Sequence, residues 1–338
     1  MKFYFKRPFF VCNLRKICYN RDMKLNYVNS QKPNAKPPLF GQPTKGKGAG
    51  LAFSLSSMMG ALMLFVIMLV LAIFGLMKEG YQNTQWYLYL CYILPPVASA
   101  LIAWYYLRYT KTPVKEAATK QKCHYTYFLL ALTLQIGLLS LSELNTLFVG
   151  ALEKLGYVAD NVVLPSMDGF GFVGVFFVVA IMAPIAEEIL FRGVILDGLK
   201  SGFSTLICAL VCGALFSLYH QNPVQTAYQF CCGFAYALLA LRAGSVLPTI
   251  LAHFLNNAFI LILNKCGVTA FPISVFIPLM IVSGLCLVTT LVYLFFFDKK
   301  QAEGNDREER KKERKNFFVF ASVGIAVCAI TWITGLFL

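Results

Sequence analysis

The chain has 338 residues, of which 58% are hydrophobic and only 14% are charged. A soluble domain carries about a quarter of its residues as charged side chains, so this composition excludes one and is typical of an integral membrane protein. The formal net charge of +14 would suggest nucleic acid as a partner of a soluble protein, but here its meaning depends on where the charges lie relative to the apolar segments.

The first 50 residues carry eleven Lys or Arg, a single acidic residue, Asp22, and several prolines. They show no apolar periodicity that could form a core. We expect a disordered, basic, cytoplasmic tail that contacts anionic lipid headgroups, and no nucleic-acid partner is needed to explain its charge. Translation could start at Met1 or at Met23.

Long apolar runs fill the rest of the chain. Crossing a hydrocarbon core of roughly 30 Å takes about 20 apolar residues in a helix. The runs predict an all-α fold, a polytopic transmembrane helix bundle of about eight to nine spans with no β domain. The candidate spans are 51–77, 86–107, 125–149, 172–199, 203–220, 226–241, 246–264, 273–297 and 317–337.

The distribution of basic residues predicts the orientation. With a cytoplasmic N-terminus, only Lys78, Lys154 and Lys265 fall in outer loops, as the positive-inside rule requires. We expect the plasma membrane of a bacterium. The predicted organisation is a tail (1–50), N-terminal transmembrane helices (51–169), a core (170–265), a transmembrane helix (266–297), a charged linker (298–316) and a C-terminal transmembrane helix (317–338).

Three ionisable residues interrupt the apolar segment APIAEEILFRGVIL. Each costs about 2.5 to 3.5 kcal/mol near the bilayer centre, so its presence indicates a function. Glu188 and Arg192 are four residues apart and face each other on a helix, which predicts an ion pair. Glu187 is rotated from Glu188 by roughly 100° and is therefore the better candidate for a reactive carboxylate.

Two of the three histidines also lie in apolar segments. His124 is in a basic loop, whereas His220 and His253 follow Glu187 at successive intervals of 33 residues, each long enough for a helix and its return. Asn257 lies one helical turn after His253 and shares its face. An antiparallel helix pair could therefore bring these side chains together.

Helix offsets give conflicting depths for the three groups. Glu187 and His220 differ by only about 7 Å in depth, towards the outer half, but His253 lies only about 10 Å from the inner side. The conflict predicts a broken helix at the site, near Pro184 or at 222–223.

The residue types suggest hydrolysis by one of two routes. In the first, Glu187 acts as a general base on water shared with His220, while His253 and Asn257 stabilise the oxyanion. In the second, Glu187, His220 and His253 bind zinc or another divalent metal, with water in an open position. Both routes would hydrolyse an amide, and the residues leave both open.

Three motifs occur in order on successive apolar helices: Glu-Glu-x-x-x-Arg at 187–192, Phe-x-x-x-His at 216–220 and His-x-x-x-Asn at 253–257. Each is weak alone, but together they resemble the CPBP family, the CAAX prenyl proteases and bacteriocin-processing enzymes also called Abi proteins, which is related to the type II CAAX prenyl endopeptidase. The resemblance covers about 170–265.

The resemblance implies an intramembrane metalloendopeptidase that cuts a membrane-associated or lipid-modified protein or peptide. By motif position, Glu187 would be the water-activating glutamate and His220 its partner. Glu188 and Arg192 would support the site, and His253 with Asn257 would bind the oxyanion. The metal-independent mechanism stays open beside the metal-dependent one.

Two other function classes fit the same segments. A non-catalytic protein of this fold could confer bacteriocin immunity or serve as a membrane scaffold. A proton-coupled transporter could use the buried carboxylates and histidines as a relay, although the sequence shows no pair of inverted repeats of the kind many transporters carry.

Overall fold

The computed structural model describes residues 45–119, 123–159, 163–268, 270–297 and 306–337. Residues 1–44 of the predicted basic tail and residues 298–305 of the predicted charged linker lie outside these ranges.

The described residues form the predicted all-α polytopic bundle. Their only strand-like pairing is an isolated antiparallel bridge between Thr119 and Ser245. The helices are α1 (Lys45–Ile73), α2 (Gln85–Thr110), α3 (Val114–Ala118), α4 (Thr126–Glu153), α5 (Phe170–Lys200), α6 (Thr205–Tyr219), α7 (Thr226–Ala243), α8 (Leu247–Lys265), α9 (Ile273–Phe296) and α10 (Arg307–Thr334).

Eight of these helices are long and apolar enough to cross a membrane. The exceptions are the five-residue α3 and the predicted fifth span, α6, which has only 15 residues and is about 22 Å long. Helix α10 begins at Arg307. Residues 307–316, which were predicted to belong to the charged linker, are therefore the first part of this transmembrane helix.

Helices α1 and α10 pack against each other in parallel along a seam of small residues. A Cβ atom on Gly50 would collide with the carbonyl oxygen of Phe317, and one on Gly324 would lie 2.6 Å from Cα of Ser54. Small residues at such a seam let two membrane helices approach closely. Because α1 and α10 run parallel, both begin on the same side of the bundle. The helices from α1 to α9 must therefore bring the chain back to that side, which they do if α6 is counted as one crossing.

The hairpin of α6 and α7 ends partway along the bundle. The side-chain amide of Gln221, at its tip, donates to the carbonyl oxygen of Ser57 at 3.4 Å. Ser57 is the thirteenth of the 29 residues of α1, so about 24 Å of α1 extends beyond the tip. His220, at the end of α6, therefore lies deep within the helical bundle.

Candidate active site

Helix α5 changes its geometry around the two glutamates. An α-helical turn, Ala183–Glu188, lies between two π-helical stretches, Phe176–Met182 and Ile189–Ile195. Such π stretches are rare and are frequent at functional sites, because they rotate side chains out of the α-helical register. The segment that carries Glu187 and Glu188 is therefore held in a special local geometry.

The first π stretch leaves one backbone carbonyl without its helical donor. The N–H of Ala183 donates to Val178 five residues earlier. In the same register the carbonyl of Val179 would pair with the N–H of residue 184, but Pro184 has none. The side-chain amide of Asn257 donates to Val179 instead, at 2.8 Å. This bond ties α8 to α5 where the missing donor would leave a buried carbonyl unpaired.

Asn257 also contacts its neighbour in α8. Its side-chain oxygen accepts from Asn256 at 3.2 Å, and its predicted place in an oxyanion site with His253 stays a prediction. One N–H bond of the Asn257 side chain thus joins α8 to α5.

Glu188 lies at the centre of a buried charge chain. Its Oε1 is 3.0 Å from Nη1 of Arg192, and both side chains are fully buried, so the predicted ion pair is confirmed. The same oxygen accepts from Nδ1 of His253 at 3.0 Å. The guanidinium also donates to the carbonyl of Gly233 at 3.3 Å and lies 4.4 Å from the ring centre of Phe216. These contacts fix the position of Glu188 and, through it, the ring of His253.

The other nitrogen of this imidazole faces the second glutamate. Nε2 of His253 is 4.0 Å from Oε2 of Glu187, a buried oxygen without a hydrogen-bond partner among the described residues. The Glu187 side chain is 13% exposed, in contrast to the sealed Glu188. The two adjacent glutamates therefore contact the same histidine from two sides, and only Glu187 is accessible.

His220 reaches the site from the end of α6. Its Nδ1 lies 2.8 Å from the carbonyl oxygen of Phe216, so Nδ1 carries the proton and Nε2 has the lone pair in the neutral ring. The Phe216 ring centre is 4.8 Å from that of His220 and 5.9 Å from that of His253. The structure thus brings together the carboxylate and both imidazoles predicted from the sequence.

The conflict in the predicted depths has a structural explanation. The turn before α8 is recessed, since the N–H of Val246 donates to Ala118 of α3 at 2.8 Å, and α3 covers this end of the bundle. The distance from Val246 to His253 is therefore not a distance from the surface. Of the two predicted breaks, the chain leaves the helix before Pro223, whereas α5 continues through Pro184 as an α-helical turn between the two π-helical stretches.

Contacts with α1 indicate that Glu187 and His220 lie at similar levels in the bundle. Gly198 of α5 packs against Ala49 of α1. Along α5, Glu187 is eleven residues from Gly198, or about 16 Å. Along α1, Ser57 is eight residues from Ala49, or about 12 Å. Gln221 binds Ser57, so the turn with His220 lies within about one helical turn of Glu187.

Sequence reasoning missed a buried polar network beside His253. Asn256 Oδ1 accepts from the Gln135 amide and from the Tyr228 hydroxyl, both at 2.8 Å, and the Tyr236 hydroxyl donates to Gln135 at 2.7 Å. The ring centre of Tyr236 is 5.8 Å from that of His253. A glutamine inside an apolar span was the available signal, because such polar side chains join helices in membranes.

The predicted metal ligands do not form an assembled site. Among the described residues, no group of three or more His, Cys, Asp or Glu side chains is arranged to hold a metal ion. The Nδ1 atoms of His220 and His253 are hydrogen-bonded, which leaves Nε2 of each ring to bind a metal, and the unpartnered Glu187 oxygen lies within 4.0 Å of only one of these two atoms. The set of Glu187, His220 and His253 therefore does not fit a metal centre in this geometry.

Comparison with known proteins supports the resemblance. Residues 169–259, which contain all six predicted site residues, match the family described as "Type II CAAX prenyl endopeptidase Rce1-like". This confirms the family resemblance predicted from the three motifs. Together with the eight apolar helices, the match identifies an integral membrane protein.

One curated relative is a Bacillus subtilis (strain 168) protein with the printed name "Putative membrane peptidase YdiL". It is 28% identical over 85 residues, which cover 25% of this chain and 35% of the relative. The chain thus matches about a third of that relative's length. No solved structure matches the chain.

Proposed function

We propose that the protein is an intramembrane endopeptidase that hydrolyses a peptide bond of a membrane-associated or lipid-modified protein or peptide. The observation that carries this proposal is the 4.0 Å separation of Glu187 Oε2 and His253 Nε2. Two atoms that each hold one water at about 2.8 Å can lie up to about 5.6 Å apart. The separation is therefore compatible with one water that both atoms hold in a bent arrangement.

Glu187 is the general base in this mechanism. Its buried, unpartnered oxygen takes a proton from the water, and the resulting hydroxide adds to the scissile carbonyl carbon. The carboxyl group then passes that proton to the leaving nitrogen as the carbon–nitrogen bond breaks. Atoms and charges balance without a further reactant.

The geometry favours exchanging the roles first given to the two histidines. His253 is the imidazole beside Glu187, and its hydrogen bond to Glu188 holds the tautomer in which Nε2 can accept the second proton of the water. His220, when protonated, can donate from Nε2 to the oxyanion. Because the predicted metal ligands do not fit a metal centre, no step passes through a metal.

The test is cleavage of a panel of internally quenched peptides, with and without an S-farnesyl cysteine, by purified protein in detergent. We expect Glu187→Gln to lower kcat at least about a hundredfold, since general-base catalysis contributes about 10²- to 10⁴-fold. Glu143→Gln, which changes an exposed acid in α4, is the matched control and should keep full activity. Wild-type turnover by Glu187→Gln would refute the proposal.

A further inference from the structure

The turn that follows His220 has an unusual backbone. Gln221 has φ of +53°, in the left-handed region, which is unfavourable for a residue with a side chain. Like Lys111 at the end of α2, Gln221 follows the end of a helix, where a left-handed residue commonly occurs. Because Gln221 is not a glycine, contacts with the surrounding structure help to hold this conformation in place.

These contacts come from two helices outside the family-matched segment. The Gln221 amide donates to the carbonyl oxygen of Ser57 in α1 at 3.4 Å and to Sγ of Cys328 in α10 at 3.5 Å. Both contacts are long. A shorter one lies at the other end of the turn, where Nε1 of Trp332 donates to the Thr226 hydroxyl at 2.7 Å. The turn is therefore bound at both ends to α10, and at Gln221 also to α1.

The backbone of Gln221 also decides where α6 ends. Its left-handed conformation stops the helix immediately after His220, whose ring is fixed to the last turn through the carbonyl of Phe216. Without the bonds to α1 and α10, the turn could relax and carry this last helical turn with it. A displacement of about 1 Å at a reacting group can cost a factor of about 10² in rate.

We propose that Gln221 is a positioning residue for His220, which it holds level with Glu187 by tying the turn to α1 and α10. The inference rests on the proposed function, because that function is the reason why the position of His220 matters. It also assigns a task to α1 and α10, which lie outside residues 169–259.

Two substitutions separate the side-chain bonds from the backbone strain. Gln221→Gly and Gln221→Asn both suit a left-handed backbone, but glycine has no side chain and asparagine is one methylene shorter. We expect both to lower kcat by about tenfold, with KM changed less than about twofold, because the substrate still binds while His220 is displaced. Gln225→Asn is the matched control in the same turn, since Gln225 makes no side-chain hydrogen bond within the described residues. It should keep full activity.

A second readout does not depend on turnover. Diethyl pyrocarbonate modifies unprotonated imidazoles, and mass spectrometry distinguishes His220 from His124, which lies in a loop far along the chain. We expect His220 to react several-fold faster relative to His124 in Gln221→Gly and Gln221→Asn than in wild type. Unchanged kcat and unchanged His220 reactivity in both variants would overturn the proposal, as would an equal loss in Gln225→Asn.

The Glu187→Gln variant, assayed beside them, keeps the two hypotheses apart. If it retains wild-type turnover, the proposed function fails, whatever the Gln221 variants do. If it is inactive while both Gln221 variants match wild type in turnover and in His220 reactivity, only the positioning role fails.

Discussion

Nε2 of His253 lies 4.0 Å from Oε2 of Glu187, while Nδ1 of the same ring is 3.0 Å from Glu188. Two neighbouring carboxylates thus have different surroundings. Glu188, paired with Arg192 and sealed from solvent, orients the imidazole. Glu187, whose side chain is 13% exposed, is the carboxylate to which the proposed mechanism assigns the reaction. The difference arises because consecutive helical residues point about 100° apart.

Stability measurements should separate the two glutamates. Glu188→Gln leaves the buried Arg192 without its counter-charge, and we expect the free energy of unfolding to fall by about 3–5 kcal/mol. Glu187→Gln removes no ion pair at hydrogen-bonding distance and should change it by less than about 1 kcal/mol. Unfolding in mixed detergent micelles measures both. Equal losses in the two variants would contradict the division of tasks.

Replacing the whole ion pair should uncouple stability from activity. The double variant Glu188→Met with Arg192→Met has no uncompensated buried charge, and we expect it to recover most of the stability lost in Glu188→Gln. It should remain inactive on the peptide panel, since nothing then orients His253. Activity near wild type in the double variant would show that Glu188 does not position the imidazole.

The contact between Asn257 and the carbonyl of Val179 gives a double-mutant cycle. Asn257→Leu should cost about 1–3 kcal/mol, because it leaves a buried carbonyl unpaired. Pro184→Ala supplies the missing backbone N–H, so we expect Asn257→Leu to cost less in that background, with a coupling energy of at least about 0.5 kcal/mol. Additive effects in the same unfolding assay would mean that Pro184 is not the reason for the contact.

The seam between α1 and α10 should be sensitive to a single methyl group. At Gly50 a Cβ would meet the backbone of Phe317, whereas at Gly284, on α9, it would meet nothing within 4 Å. We expect Gly50→Ala to destabilise the protein by about 1–3 kcal/mol. Gly284→Ala, the matched control, should be neutral or slightly stabilising because alanine favours a helix. Protection of α10 from proteolysis, compared between the two variants, provides the measurement.

Metal removal tests the route without a metal. We expect turnover to be unchanged after dialysis against 1,10-phenanthroline, with less than about 0.1 equivalent of transition metal in the active protein, because the candidate ligands, although close together, are not arranged to hold a metal ion. Loss of activity on chelation, reversed by added zinc but not by magnesium, would show that the site rearranges around a metal ion and that the proposed mechanism is wrong.

Local features of the site could be predicted from the sequence. The pairing of Glu188 with Arg192 follows from a spacing of four on one helix, and the accessible position of Glu187 follows from the rotation between neighbours. The three motifs also placed the site in the segment that the family match covers. Each of these inferences depends only on residues close together in the chain.

Pairings between helices could not be predicted in the same way. Intervals of 33 residues allow His220 and His253 to approach Glu187, but they leave open how each helix is rotated and therefore which imidazole contacts which carboxylate. The sequence also gave no sign that Asn257 replaces the N–H missing at Pro184, because that bond depends on a π-helical register that tertiary packing stabilises.

The sequence by itself determined the membrane-spanning, all-α character of the protein and the polar groups that its site can use, since these follow from composition and local helical geometry. Only the tertiary structure decided that His253 lies between two glutamates and that α1 and α10 hold the turn of His220. Those contacts join residues up to 164 positions apart. Their geometry is set by close packing of whole helices, which no local pattern encodes.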